Sequence, residues 1–98
     1  MRFEWDENKN QSNQAKHGLG FETAICVFED PSYWSYQDRF VDGEERWQTI
    51  GLASGVLLVL VAHTVREEEQ DEVIRLISAR KANKHEERIY ETHIQENS

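Results

Sequence analysis

Arginines near the ends of predicted strands are the residues of this sequence best suited to chemistry on an anionic substrate. Arg46 opens one such strand, Arg66 ends the next one, and Arg80 follows the last one. The guanidinium group is a planar fork of donors that matches phosphate, so several arginines on one sheet favour a phosphodiester. In the alternative interpretation, Arg46 and Arg66 form structural salt bridges with neighbouring acids. Those acids are Asp42, Glu44 and Glu67.

Histidine is the second residue type that could act on such a substrate. His17 lies at the predicted end of a helix, and its ordinary pKa near neutrality suits a general base or acid. It could equally donate a hydrogen bond to a carbonyl oxygen and stabilise the turn. His63 alternates with valines in an apolar strand, which is typical of a buried histidine. His85 and His93 lack the i, i+4 spacing of a helical metal pair, and we expect no metal site.

The overall charge restricts the kind of partner that this chain could bind. Eleven lysines and arginines stand against nineteen acidic residues, which gives a net charge of −8. A protein that contacts nucleic acid broadly is normally basic, so this charge favours a basic partner or a small cationic site in acidic surroundings. Five of the acids fall within residues 67–72, and without them the net charge would be −3. We expect that segment to be a solvated loop.

Length and composition predict one domain over residues 1–98. The single cysteine, Cys26, lies in the apolar run 24–28, which excludes an intrachain disulfide and indicates a small core side chain. The charged N-terminal segment is unlike a signal peptide, and the longest apolar stretch, 56–62, is far shorter than the ~20 residues of a membrane span. The expected location is therefore cytoplasmic, without membrane contact.

Hydrophobic periodicity and turn signals divide the chain into strands and helices. They predict strands over 3–5, 33–40, 46–53, 56–65 and 73–79, and helices over 7–17, 21–28 and 84–93. Asp42-Gly43 and Ser54-Gly55 are the predicted two-residue turns. Strands joined by short turns pair antiparallel. We therefore expect an α+β fold, β-α-α-β-β-β-β-α, with an antiparallel sheet of four or five strands, two N-terminal helices and one C-terminal helix, the helices on one face.

The predicted helices have recognisable capping residues. Asp6 is in the N-cap position of the first helix, Gly18 follows its end, and Asn83 begins a capping box before the last helix. The first helix is polar nearly all round, so its packing face must use polar side chains. The candidates for that face are Asn13, Lys16 and His17.

Taken in order along the chain, these residues resemble the BrnT family, the toxins of type II toxin–antitoxin pairs. The N-terminal motif residues are Phe3, Trp5, Asp6, Lys9, Asn13, Lys16, His17, Gly18, Phe21, Ala24, Val27, Phe28 and Asp30. The middle of the chain supplies Asp38, Gly43, Glu44, Arg46, Ile50, Gly51, Gly55, Thr64 and Arg66. The C-terminal part supplies Ile74, Arg75, Ile77, Ser78, Ala79, Arg80, Ala82, Glu87, Arg88 and Tyr90. Each motif is short, and their order and spacing over residues 3–90 make the resemblance specific.

The resemblance implies a RelE-like ribonuclease fold and an activity, the cleavage of RNA, that inhibits translation and growth. It implies neither a metal nor a cofactor. The implied partner is a cognate BrnA-like antitoxin with a ribbon-helix-helix DNA-binding part, which neutralises the toxin. The complex of the two would repress its own operon, so DNA would be contacted through the antitoxin alone. A higher-order toxin–antitoxin assembly is compatible with this arrangement.

Carried over position by position, the resemblance implies a ribonuclease site made of Lys16, His17, Arg46, Arg66 and Arg80. RNA cleavage of this kind uses the 2′-hydroxyl as nucleophile, so it needs a base, an acid and cations around the phosphorane. His17 or Glu44 is the expected base, with Arg46 and Arg66 holding the scissile phosphate. Antiparallel pairing puts Arg46 and Arg66 at one end of the sheet and Arg80 at the other, so Arg80 would contribute only through curvature of the sheet.

Two other functions stay open from the sequence. In the first, the domain is a catalytically inert binding module or co-repressor whose acidic surface binds a basic DNA-binding partner. That function would be favoured if Arg46 and Arg66 were both salt-bridged and buried. In the second, the domain is a metal-dependent or otherwise different hydrolase, which a chelator would inactivate.

Overall fold

The computed structural model describes residues 1–97, which form five strands, three α-helices and one 3₁₀ helix. The strands are β1 (Arg2–Glu4), β2 (Trp34–Val41), β3 (Glu44–Ala53), β4 (Leu57–Glu68) and β5 (Asp71–Lys81). The helices are α1 (Glu7–His17), α2 (Phe21–Ala24) and α3 (Lys84–Glu96), and the 3₁₀ helix is Ile25–Glu29. The predicted order of elements is confirmed. Within the described residues no helix is long and apolar enough to span a membrane.

The strands form one sheet in the order β1-β5-β4-β3-β2. β2 to β5 pair antiparallel, as predicted, because short turns join each strand to the next. β1 instead pairs parallel with β5, with Phe3 opposite Ile74, so the prediction of an antiparallel sheet is wrong at this edge and the sheet is mixed. β1 and its neighbour β5 are far apart along the chain, so no short turn between them imposes an antiparallel direction on β1. The packing of Phe3 against the core stabilises this position.

The sheet has a core cluster on each of its two faces, and the residues of β4 alternate between these faces. Val59 and Val61 point to the first face, where residues of α2 and of the 3₁₀ helix cover them. Leu60 points to the second face, where it packs with Ile50 of β3 and Tyr90 of α3. The prediction that all helices lie on one face is therefore wrong. A continuous apolar run such as that of β4 requires a cover on each side.

Asp30 attaches α3 to the second face, and a capping box holds the first turn of the helix. Asp30, which follows the 3₁₀ helix, accepts hydrogen bonds from the Tyr90 hydroxyl (2.5 Å) and from the Leu52 backbone N–H (2.8 Å). The predicted capping box is confirmed, because the side chains of Asn83 and Glu86 each accept a hydrogen bond from the backbone N–H of the other. The first turn of α3 is thus held by its own cap and the middle of the helix by Asp30.

The second predicted helix is shorter and tighter than its pattern indicates. The spacing predicts a regular helix over 21–28, whereas α2 ends at Ala24 and the chain continues as the 3₁₀ helix, which buries Val27. Gly51 of β3 makes this close approach possible, because a β-carbon there would lie 2.9 Å from Val27 Cγ1. The 3₁₀ helix therefore packs directly against the backbone of the sheet.

The acidic segment 67–72 is not the loop that its composition predicts. β4 runs to Glu68 and β5 starts at Asp71, so only two residues form the turn, with φ of 54° and 68°. The strands persist because cations neutralise their ends: two arginines bind Glu68, and the N-terminal ammonium group lies 2.7 Å from Asp71. The predicted two-residue turn at 42–43 is confirmed at the same end of the sheet, whereas the turn after Ala53 has three residues rather than two.

Asn13 attaches the polar helix α1 to the sheet. Its side-chain nitrogen donates to the carbonyl oxygens of Leu19 (2.8 Å) and Ala79 (2.7 Å), and its side-chain oxygen accepts from the Ala79 N–H (3.1 Å). The carboxamide therefore pairs with β5 as a neighbouring strand would, beyond the point where β1 ends. Asn13 is confirmed as a packing residue, whereas Lys16 and His17 are exposed and do not pack.

Replacing Asn13 with alanine should destabilise the fold, because it leaves the buried backbone groups of Ala79 without partners. Each unsatisfied buried group costs about 1–3 kcal/mol, so we expect the free energy of unfolding to fall by about 2–4 kcal/mol. Urea unfolding followed by circular dichroism measures the change. Gln11→Ala, at an exposed position of α1, is the matched control and should cost less than about 0.5 kcal/mol. Equal stabilities of the two variants would contradict the prediction.

Candidate functional site

Part of the second face remains accessible to solvent between α3 and the two hairpin turns. Its side chains form rows across the strands. The row nearer α3 consists of Tyr36, Gln48, Ala62 and Ser78. The row nearer the hairpin turns contains Arg39, Arg46, Arg75 and Glu4. We call these two rows the open face. Successive rows are about 7 Å apart, because two residues separate them along each strand.

Arg39 and Arg46 stand directly opposite each other on β2 and β3. Each has a carboxylate from its own strand at ion-pair distance, Asp38 at 3.6 Å from Arg39 Nε and Glu44 at 3.5 Å from Arg46 Nε. The predicted contact of Arg46 with Glu44 is therefore present but loose. The Nε atom of Arg46 is shielded from solvent and has no hydrogen-bond partner within residues 1–97. The two guanidinium groups repel each other and retain donors for an anion.

Arg66 is held by carboxylates, but Glu67, which the salt-bridge interpretation named as a possible partner, is not one of them. It donates two hydrogen bonds to Glu4 (2.8 and 3.0 Å) and two to Glu68 (3.0 and 3.2 Å). Arg75 donates to the same Glu4 at 2.8 Å. Hydrogen bonds from Arg66 and Arg75 favour the ionised form and lower the pKa of Glu4 from 4.5 to about 2. Arg66 nevertheless remains 46% exposed, so Glu4 orients two cations that solvent still reaches.

Arg80 lies away from Arg66, as antiparallel pairing predicts. Arg80 stands opposite Leu60 on β4, six residues from Arg66, and six residues span about 20 Å of strand. Arg46 adjoins the last paired residues of β3 and β4 and is therefore at the Arg66 end. Glu86 of α3 accepts two hydrogen bonds from Arg80, at 2.7 and 2.9 Å. Arg80 consequently links α3 to β5.

Lys16 and His17 are the last two residues of α1, which lies beside β5 on the side away from β4. Together with Ile77 and Ser78 they line a shallow depression, and neither side chain has a hydrogen bond or ion pair with another described residue. The alternative in which His17 stabilises the turn through a carbonyl oxygen is therefore wrong. Glu44 lies on β3, two strands from β5, and adjacent strands are about 4.8 Å apart. The two predicted bases, His17 and Glu44, are thus too distant to act on one scissile bond.

His63 is buried in the first face, as its strand position predicts. Its Nε2 lies 2.6 Å from the Thr49 hydroxyl, which lies 2.5 Å from the Ser35 hydroxyl. Its Nδ1 lies 3.3 Å from the carbonyl oxygen of Thr64, so the neutral ring donates from Nδ1 and accepts at Nε2. Burial lowers the pKa of His63 from 6.5 to about 4. This histidine is therefore structural.

Tyr36 is an open-face residue that the sequence did not identify. Burial raises the pKa of its phenol, with negative charge on Glu86 and Asp38 acting in the same direction and Arg80 opposing them. Tyr36 consequently keeps its proton near neutral pH and can donate it. Opposite Tyr36, the side-chain oxygen of Gln48 is shielded from solvent and has no hydrogen-bond partner within residues 1–97.

Arg39, Arg75 and Glu4 were likewise not identified from the sequence as site residues. A signal for Arg39 exists, because counting outward from the two-residue turn at 42–43 pairs it with Arg46. The alternation of Arg75 with apolar neighbours shows that it points away from the first face. No local signal reveals Glu4, because the parallel pairing of β1 with β5 brings it beside Arg75.

The structural condition for a catalytically inert module is met only in part. Arg66 is salt-bridged but exposed, and Arg46, which is 27% exposed, has one loose ion pair. Residues 1–97 contain no group of three or more histidine, cysteine, aspartate or glutamate side chains that could hold a metal ion.

Comparison with known proteins agrees with the resemblance. A family model described as "Ribonuclease toxin, BrnT, of type II toxin-antitoxin system" matches residues 5–86. The structure is similar to the crystal structure of the Brucella abortus ribonuclease toxin BrnT, with a TM-score of 0.65 and 29% identity over 86% of this chain and 99% of that chain. No curated protein matches the chain. These findings define a toxin of the type II toxin–antitoxin class. The chain belongs to the BrnT family of ribonuclease toxins.

The buried neutral His63 should make stability depend on pH between about 4 and 6.5. In that range the unfolded chain binds a proton that the folded chain does not, so the free energy of unfolding falls as the pH decreases. The contribution is fully present above pH 6.5, and its loss amounts to at most about 3 kcal/mol. Urea unfolding near pH 7 and near pH 4 measures it. His63→Gln, which does not titrate, is the control, and an identical pH dependence of both proteins would refute the prediction.

Proposed function

We propose that this protein is a metal-independent endoribonuclease that inhibits translation and growth until a cognate antitoxin binds it. Family membership supports a ribonuclease toxin. The observation that carries the proposed site is the pair of opposed arginines on the open face, Arg39 and Arg46. The substrate is RNA, and the scissile phosphate lies between these two side chains.

The opposed arginines favour a phosphate because an anion would remove an unfavourable contact. Like charges directly opposite on a sheet are destabilising by about 0.2–1 kcal/mol. The ion pairs of Arg39 and Arg46 with their own-strand carboxylates are long, at 3.6 and 3.5 Å, and exposed ion pairs contribute little. A phosphodiester between the two guanidinium groups would accept hydrogen bonds from their solvent-accessible N–H groups, since Arg39 is 73% and Arg46 27% exposed.

Glu44 is the proposed general base, because its carboxylate lies 3.5 Å from Arg46 Nε and therefore beside a phosphate bound there. It takes the proton of the 2′-hydroxyl, O2′ attacks phosphorus, and the bond from phosphorus to O5′ breaks. Tyr36, one row away and protonated near neutral pH, donates the proton to O5′. The products are a 2′,3′-cyclic phosphate and a 5′-hydroxyl end. Arg39 and Arg46 stabilise the charge that accumulates on the phosphorane.

The remaining basic residues are proposed to bind the RNA backbone or to position the site. Arg66 and Arg75, which share a carboxylate, lie on the same side of the sheet and bind flanking phosphates. Lys16 and His17 extend the cationic surface beyond β5, and His17 is therefore a binding residue rather than the base. Arg80 holds α3 in position through its salt bridge with Glu86.

A basic antitoxin is the partner that the surface charge supports. The chain has a net charge of −8, and many of its acids lie around the hairpin turns at 42–43 and 69–70. We propose that the antitoxin has a ribbon-helix-helix part and that the complex contacts DNA through it in the cytoplasm. The inert binding module remains the alternative function, because Arg66 and Arg80 both have bidentate carboxylate partners.

Arg46→Ala should reduce the rate of RNA cleavage by about 10²–10³-fold, the usual effect of removing one group that stabilises transition-state charge. Growth after induction of the chain alone, together with gel analysis of total RNA, measures toxicity, and the purified protein gives the rate. Lys81→Ala is the matched control, since Lys81 is exposed and shares the first face with Val59. If the wild type leaves growth and RNA intact, the ribonuclease function fails. If Arg46→Ala is as active as the wild type, the proposed site is wrong.

Cleavage should persist in excess EDTA and should stop when the nucleotide that supplies the nucleophile carries a 2′-deoxyribose. Both results follow from attack by the 2′-hydroxyl without a metal ion. Mass spectrometry of the products should find a terminal 2′,3′-cyclic phosphate. Loss of activity in EDTA that Mg²⁺ restores would instead identify a metal-dependent hydrolase.

A further inference from the structure

A groove between α3 and β2 adjoins the open face but is not part of the proposed reaction centre. It has a volume of about 580 Å³ and is lined by Trp34 of β2 and by one side of α3, including His85, Arg88 and His93. Sites for small organic groups commonly have volumes of about 300–1,000 Å³. The groove is thus large enough to enclose one nucleobase.

Aromatic rings connect this groove with the open face. The rings of Trp34 and His93 are nearly parallel, with centroids 5.3 Å apart and an interplanar angle of 12°. The ring of Tyr36 lies 5.1 Å from that of Trp34. Tyr36 belongs to the open face. The rings of Tyr36, Trp34 and His93 therefore form a continuous series of contacts from the reaction centre into the groove. Successive aromatic rings of this kind are the platforms on which single-stranded nucleic acids stack their bases.

The spacing along the sheet relates the groove to the opposed arginines. Trp34 stands opposite Ile50, and Arg39 stands opposite Arg46, on the same strand β3. Four residues of β3 separate these two positions, which corresponds to about 13 Å. A few nucleotides can span that distance. A strand whose scissile phosphate lies at the arginine pair can therefore place a neighbouring base in the groove.

The formal charges that line the groove balance, so the groove does not share the acidity of the hairpin turns. One guanidinium group, that of Arg88, and one carboxylate, that of Glu96, line it together with two imidazole rings. The acids that would attract a basic partner are concentrated at the hairpin turns, at the opposite end of the sheet from Trp34. The groove is consequently an aromatic and nearly charge-balanced part of an acidic protein.

We propose that this groove binds an unpaired base of the RNA substrate, in contact with the rings of Trp34 and His93, with Arg88 and His85 beside its backbone. The assignment rests on the proposed ribonuclease function. It makes single-stranded RNA the substrate class, because a base must leave its stack and its pairing partner to enter the groove. Trp34 and His93 are binding residues in this assignment and take no part in the chemical step.

Binding of a fluorescein-labelled, single-stranded 2′-O-methyl oligoribonucleotide, which cannot be cleaved, tests the assignment by fluorescence anisotropy. Trp34→Leu should weaken binding about ten-fold, the effect of losing one stacked base. His93→Ala should also weaken binding. This variant keeps the apolar packing of Trp34, so it still tests the assignment if Trp34→Leu fails to fold. Ile94→Ala, at a 37% exposed position of α3 outside the groove, is the control and should bind as the wild type does.

The outcomes separate this assignment from the proposed function. If both groove variants bind the oligonucleotide as tightly as the wild type, the groove assignment fails even when the wild type cleaves RNA. If the wild type cleaves no RNA but binding still depends on Trp34 and His93, the ribonuclease function fails and the groove remains a base-binding site. If the variants lose binding to the antitoxin and retain binding to the oligonucleotide, the groove is a protein-docking site and the assignment is overturned.

Discussion

The burial of β4 on both faces is the constraint on which the rest of this structure depends. Val59 and Val61 require one cover, and Leu60 between them requires another. The second cover is α3, whose thirteen residues span about 20 Å and lie near the Leu60 end of the sheet. The rest of the second face must be stable in water, and its residues are accordingly polar, basic or small. The candidate site is therefore the uncovered part of a face whose other part belongs to the core.

Carboxylates orient the cations of that surface more than they neutralise them. Glu4 binds Arg66 and Arg75 together, yet these side chains remain 46% and 43% exposed. Arg66 also binds Glu68, so these two arginines have two carboxylate partners between them. Arg39 and Arg46 have looser partners and face each other. A protein with a net charge of −8 thus presents exposed guanidinium groups on its open face, although a carboxylate lies beside each of them.

The parts of the fold that could be predicted from the sequence are those set by local interactions. Caps at Asp6, Gly18 and Asn83 act within one helical turn, and the two-residue turn at 42–43 sets the pairing of its own strands. The prediction of the site was less complete. The order of the motifs indicated the family, but it grouped His17 with Arg46 although two strands separate their elements. Tyr36 and the groove beside Trp34 had no recognisable signal.

The sequence by itself determined the order of the elements, the antiparallel pairing of β2 to β5, the burial of His63 and the family to which the chain belongs. The tertiary structure alone decided the parallel pairing of β1, the position of α3 on the second face and the convergence of Glu4 with Arg66. The physical reason is the range of the interactions. Asn13 meets Ala79 across 66 residues and Glu4 meets Arg66 across 62, and no local periodicity encodes such contacts. Caps and turns are encoded, because their partners lie within a few residues.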